Sequence, residues 1–147
     1  MAPPGAASRI ATLSVGLLLL AGCAAGTRAA DEPAYAPGAR VHEEGLASWY
    51  GKAFHGRMTA SGIPFDRRAM VAAHPTLPFG TRVRVHRIST GASVVVRIVD
   101  RGPAARPRRA GVVIDLSEGA AERLGFIRVG RTKVRLEVLP PGTAEEQ

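Results

Sequence analysis

Polar and apolar residues alternate strictly over Arg82-Val83-Arg84-Val85-His86, which puts Val83 and Val85 on one face and the arginines on the other, the pattern of a half-buried strand. Ser89-Thr90-Gly91 supplies turn residues, and Val94 to Val99 is a second run of strand formers, so the two segments predict a hairpin. Shorter apolar stretches predict strands at Leu46–Tyr50, Met70–His74 and Val112–Leu116, and alternation returns over Lys133–Val138 with Val134, Leu136 and Val138 inward. A helix is predicted after Ser117. That serine is an N-cap type, Glu118 suits the first turn, Leu116, Ala120, Ala121 and Leu124 recur at helical spacing, and Gly125 is a stop.

Many short strands with one or two short helices imply a small β-barrel. The segment from Gly80 to Val85 resembles that from Gly130 to Leu136, each a glycine ahead of an alternating basic strand, which is consistent with two pseudo-equivalent halves.

The N-terminus adds an address. Arg9, the apolar run Ile10 to Leu20 and the small residues that follow predict an export signal over residues 1–22, too short to span a bilayer. Ala, Pro and Gly dominate from Cys23 to residue 43 without periodicity, as in a flexible linker, so the barrel domain is expected over 44–140 and a disordered tail over 141–147. The 147 residues carry 20 basic against 12 acidic side chains. This balance favours contact with anionic surfaces, but it gives no ground for nucleic-acid binding.

Chemistry converges on the end of one strand. Ser93 to Val99 stops at Asp100-Arg101-Gly102-Pro103, so a carboxylate stands where a strand leaves its sheet, held from one side and open on the other. Capping a turn and serving as an acid are both open to Asp100 on this stretch alone. His42, His55, His74 and His86 lack the spacing of metal ligands, and no glycine-rich phosphate loop is present, so neither metal nor cofactor is expected. Arg106, Arg108 and Arg109 form a basic loop, read either as a solvated surface or as the wall of a cleft for an anionic polymer.

Ala47-Ser48-Trp49-Tyr50-Gly51, Phe54-His55-Gly56-Arg57, Thr59-Ala60-Ser61-Gly62, Ala72-Ala73-His74, Thr76-Leu77-Pro78-Phe79-Gly80, Val99-Asp100-Arg101-Gly102-Pro103 and Ile114-Asp115-Leu116-Ser117 together resemble the rare lipoprotein A family in order and spacing. The resemblance runs from about Gly45 to Leu139. It implies a six-stranded double-psi β-barrel, related to expansins, and a lytic transglycosylase acting on peptidoglycan glycan strands stripped of stem peptides. It implies catalytic roles for Asp100, His74 and Asp115, and a groove lined by Ser48, Tyr50 and Arg101. For His74 a bond to a turn, for Asp115 service to the helix N-terminus, and for Trp49 and Tyr50 a place in the core are the alternative readings. Leu20-Ala21-Gly22-Cys23 resembles a bacterial lipobox, which implies acylation of the lone cysteine, Cys23, and anchoring in the cell envelope, on the outer membrane. Division proteins are further implied partners, although the C-terminal peptidoglycan-binding repeat common in that family is not expected in the few residues after Val138.

One residue departs from the pattern. Where the family commonly has a catalytic glutamate after Thr-Ala-Ser-Gly, this chain has Ile63, which can neither give nor take a proton. A lytic transglycosylase needs no placed water, because the sugar's own C6 hydroxyl attacks the anomeric carbon. Asp100 is expected to protonate the leaving oxygen and afterwards take the hydroxyl proton, with His74 orienting it or holding the substrate, and Ile63 is expected to lower the rate without abolishing it. The alternative is an expansin-like module that binds glycan without cutting it.

Overall fold

A computed structural model describes residues 40–142. The export signal, the lipobox and most of the linker lie outside the described residues. Six strands, β1 (Arg40–Tyr50), β2 (Val71–Ala73), β3 (Arg82–Arg87), β4 (Ser93–Asp100), β5 (Val112–Ser117) and β6 (Thr132–Val138), close into a barrel in the order β1-β5-β2-β4-β3-β6. The pairs β1/β5 and β2/β4 are parallel and the other four antiparallel, so the sheet is mixed. The echoing segments around β3 and β6 are antiparallel neighbours, with Val85 opposite Leu136.

Alternation sorts the side chains as expected. Val83, Val85, Val96, Ile98, Ile114, Leu116, Val134 and Leu136 fill the interior and are essentially inaccessible. Burying such a side chain is worth roughly 1.5–3 kcal/mol, which makes this interior the main source of stability in a domain without a disulfide. Two helices, α1 (Ala105–Arg109) and α2 (Glu118–Arg123), lie in the connections flanking β5. Ser117 caps α2 by accepting a hydrogen bond from the Ala120 N–H at 3.2 Å, an arrangement worth about 1 kcal/mol. Ala120, Ala121 and Leu124 dock its apolar face on the core. α1, a single turn inside the basic loop, was not expected. β1 is also longer than its apolar stretch. It starts at Arg40 and so takes in the last residues assigned to the linker, because β6 offers them a partner from Val138 back to Thr132.

Three register shifts matter for function. In the β2/β4 pair, Ala72 faces Ile98 but Ala73 faces Asp100, leaving Val99 as an extra residue. Ile98 points into the barrel, whereas Val99 packs with Phe65 and Val71 in a second cluster. Strict alternation would return Asp100 to the interior; the bulge keeps it on the outer face. A second shift, between Val41 and Glu43, lies at the start of β1, and a third, between Leu46 and Ala47, in its pairing with β5.

Candidate functional site

Strand order builds the site. Ser48 on β1 pairs with Asp115 on β5, Asp115 pairs with Ala73 on β2, and Ala73 pairs with Asp100 on β4. Four adjacent strands thus contribute one residue each to a single row. The two carboxylates flank the smallest side chain in the row, their backbones about 10 Å apart across two strand spacings. Gly102 lies over the middle of this row. A Cβ built there would stand 3.2 Å from the Ala73 Cβ and 3.3 Å from Asp115 Oδ2, so a side chain at 102 would crowd that oxygen.

The two acids sit in different surroundings. Asp100 Oδ1 accepts hydrogen bonds from the Ala60 N–H at 2.9 Å and the Arg101 N–H at 2.8 Å. The Thr-Ala-Ser-Gly segment provides the first of these. Thr59 closes the turn by donating its N–H (2.9 Å) and its Oγ1–H (2.8 Å) to the Ile63 carbonyl, and Gly62 takes the left-handed conformation that the turn needs (φ +84°). Only the backbone of Ile63 serves this turn; its side chain is 38% exposed. Asp115 is half-buried, accepts a hydrogen bond from Ser48 Oγ, and has its carboxyl pushed above the usual range by burial, with Ser48 and then Arg131 pulling the other way. Ser117, not Asp115, caps α2.

Tyr50 completes the group. Its ring stacks on Phe65 at 4.3 Å and meets Phe54 edge-on at 5.8 Å. Its hydroxyl is buried and has no hydrogen-bond partner among the described residues. Burial, then the nearby charges of Asp100 and Asp115, raise its pKa, so the phenol stays protonated and keeps its O–H as a donor. Trp49 instead packs against the barrel core.

His74 is differently placed from a proton carrier. Its ring is 1% exposed. Nδ1 accepts from the N–H groups of Thr76 (3.2 Å) and Leu77 (3.0 Å), and Nε2 lies 2.6 Å from Glu43 Oε1. Its described link to Asp100 is through the backbone, with the His74 N–H donating to the Asp100 carbonyl at 3.2 Å. Burial lowers the His74 pKa, against the opposing pull of Glu43. Arg101 holds the same turn: its guanidinium donates to the carbonyls of Leu77 (2.9 Å) and His74 (3.3 Å) and lies 3.8 Å over Phe79. Asp66, the other carboxylate near Ile63 in sequence, accepts from the Arg68 N–H at 2.9 Å within its own turn.

The structure therefore groups Ser48, Tyr50, Asp100 and Asp115, and places His74 and Arg101 behind them as supports. Glu43 and Gly102 escaped sequence reasoning. Glu43 meets His74 from 31 residues away across the barrel, and Gly102 reads locally as a turn residue. Two hollows, of about 560 and 420 Å³, lie away from the row, one beside α2 and one at the start of β1. In the first, Arg67 pairs with Glu118 at 2.7 Å. A polymer binds along an open groove, so a site for one does not require an enclosed hollow.

Comparison with known proteins agrees on fold and family. A family model described as lytic transglycolase matches residues 42–136. The chain is 56% identical over 102 residues to the probable endolytic peptidoglycan transglycosylase RlpA of Nostoc sp. (strain PCC 7120), covering 68% of this chain and 26% of the relative. Against the endolytic peptidoglycan transglycosylase RlpA of Neisseria meningitidis serogroup A it is 45% identical over 104 residues, 71% of this chain and 42% of the relative. The chain thus spans roughly a quarter to two-fifths of the length of these curated relatives. Among solved structures it is similar to the Streptomyces papain inhibitor, with a TM-score of 0.52 and 22% identity over 68% of this chain and 97% of that one. It is also similar to a mutant Clavibacter michiganensis expansin in complex with cellohexaose, with a TM-score of 0.53 and 19% identity over 69% of this chain and 52% of that one. These likenesses show the fold, a double-psi β-barrel.

Proposed function

The chain belongs to the lytic transglycolase family, and from that premise we propose that it cleaves peptidoglycan glycan strands to products ending in 1,6-anhydro sugars. The observation that carries this reading is the row of Ser48, Asp115, Ala73 and Asp100, which sets two carboxylates on either side of a small floor. The names of the relatives, endolytic peptidoglycan transglycosylases, support the substrate class, and an expansin of the same fold in complex with cellohexaose supports a glycan along the groove.

The environments of the two acids divide the work. Asp115, whose carboxyl burial pushes up, protonates the glycosidic oxygen as the bond to the anomeric carbon breaks. Asp100, fixed through Oδ1, uses its other oxygen to take the proton from the C6 hydroxyl, whose oxygen bonds to the same carbon and closes the anhydro ring. One proton leaves Asp115 and one reaches Asp100, so no water is consumed. This assigns to two groups the steps that sequence reasoning gave to Asp100 alone.

The test is mass spectrometry of peptide-free glycan strands after incubation with the full chain. Anhydro-ended products from the unmodified protein, missing with Asp100→Asn or Asp115→Asn, support the proposal. A second reading, a binding module of expansin type, is favoured by one observation, the aliphatic Ile63 beside the Asp100 turn. Retained glycan binding with no products, and products once Ile63→Glu is made, would decide for that module. The proposal extends to the envelope: Cys23 carries the acyl anchor to the outer membrane, and division proteins are its partners. Cys23→Ala should yield a chain lacking the acyl mass.

A further inference from the structure

His42, Glu43 and His74 each bring one ligand atom to within 4.8 Å of the others, a spacing that would suit a metal ion. Backbone chemistry argues against it. The two groups facing His74 Nδ1 are the N–H groups of Thr76 and Leu77, donors whose direction is fixed, so Nδ1 must be the unprotonated nitrogen. In a neutral imidazole the proton then sits on Nε2, pointing at Glu43 Oε1 2.6 Å away. A metal on Nε2 would require the ring to lose that proton too, whereas ligating histidines ordinarily keep an N–H on the other nitrogen and donate it. A 180° flip of the ring would present a carbon to both backbone N–H groups.

We infer that Glu43 is a positioning residue, which holds the His74 imidazole as its Nε2–H tautomer so that Nδ1 fixes the 74–77 turn against the end of the strand carrying Asp100. Each link is a hydrogen bond: Glu43 accepts from Nε2, Nδ1 accepts from the turn, Arg101 donates to the turn's carbonyls, and the His74 N–H donates to the Asp100 carbonyl. The register shift between Val41 and Glu43 accompanies the approach of the two consecutive side chains, with His42 Nε2 3.6 Å from Glu43 Oε1 and the two histidine rings 5.2 Å apart, edge to face. The charged and titratable groups facing His74 are therefore Glu43, His42 and Arg101, and burial outweighs the Glu43 carboxylate in keeping the ring neutral. A buried neutral imidazole with both nitrogens engaged makes a good strut and a poor proton shuttle.

Nitrogen-15 spectra of the histidine rings in the full chain, wild type and with Glu43→Ala or Glu43→Gln, test this without reference to turnover. The expected result is a pyrrole-like Nε2 and a pyridine-like Nδ1 for His74, unchanged by zinc ion alone. Amide exchange at Thr76 and Leu77 should quicken at least tenfold in Glu43→Ala and be largely restored in Glu43→Gln, which still offers an acceptor oxygen. The turnover arm rests on the proposed function: kcat should fall about tenfold in Glu43→Ala with KM within twofold, and no limb of the pH profile should belong to His74. A proton on Nδ1, zinc displacing the Nε2–H, or amide exchange and kcat indifferent to Glu43→Ala would each overturn the inference. If the wild type makes no anhydro products, the activity falls, and the spectra and exchange rates still decide the role of Glu43.

Discussion

Asp100 ends β4 and Asp115 lies within β5, in one row across β2, yet the fold treats them differently. Asp100 is met by two backbone N–H groups, from the Thr59–Ile63 turn and from Arg101, that fix one of its oxygens. Asp115 is half-buried, is met by one hydroxyl, and has Gly102 close over its second oxygen. Two chemically identical side chains thereby acquire different hydrogen-bond partners and different surroundings. The difference arises from backbone geometry: a bulge beside Asp100 and a glycine over Asp115.

The sharpest way to break the comparison is to neutralise each acid. Asp100→Asn and Asp115→Asn should each lower the rate of anhydro-product formation by about 10²–10⁴-fold, on the order of 3–5 kcal/mol of barrier. Stability should separate them. The folded-state pKa of Asp115 is raised, so its favourable contribution is complete below the unfolded value and lost as pH rises through the folded one. At neutral pH Asp115 is therefore a cost, and Asp115→Asn should raise Tm there while losing activity. Asp100→Asn keeps an acceptor oxygen for the two N–H groups and should leave Tm within a degree or two. An Asp115→Asn protein that melts lower at neutral pH would remove the assignment of strain to this acid.

A smaller effect comes from the cover. Gly102→Ala would bring a methyl against Asp115 Oδ2 and the Ala73 Cβ, closer than side chains ordinarily pack, so the neighbours must yield by a few tenths of an ångström. Turnover should drop roughly tenfold, as expected for a misplaced reacting group. Glycan binding by the same variant should fall less, since Asp100 and Tyr50 are untouched. Equal losses in both would place Gly102 in the binding of the strand and not in the delivery of the proton.

Much of this was legible from local pattern. Period-two alternation located β3 and β6, and a run of strand formers located β4, because both are properties of a few consecutive residues. Ser117 and the Ala120, Ala121, Leu124 spacing located α2 for the same reason. Asp100 stood out because turn residues follow it. What depends on register was hidden: nothing in Ile98-Val99-Asp100 announces the bulge that turns Asp100 outward, and nothing near Glu43 announces His74. α1 was hidden by Pro107, which a helix tolerates here because it falls in the first turn, where N–H groups have no intrahelical partner in any case. Sequence likeness singled out His74 by position, and the partners of its buried ring nitrogens are what position alone could not give.

The finest distinction concerns what pulls the Asp115 carboxyl back down. Ser48 does so by a hydrogen bond and Arg131 by charge from an exposed position. Removing either should raise the Asp115 pKa further. If Asp115 is the acid, activity declines as pH rises through that pKa, and the alkaline limb of kcat against pH should move to higher pH in Ser48→Ala and, by less, in Arg131→Gln. Salt tells the two apart. Exposed charges are screened, with a Debye length of about 8 Å at physiological ionic strength and about 3 Å at 1 M, whereas a hydrogen bond in a half-buried pair is not. The Arg131→Gln shift should fade in 1 M salt and the Ser48→Ala shift persist. Movement of the acid limb instead would make Asp115 the base and exchange the roles of the two carboxylates.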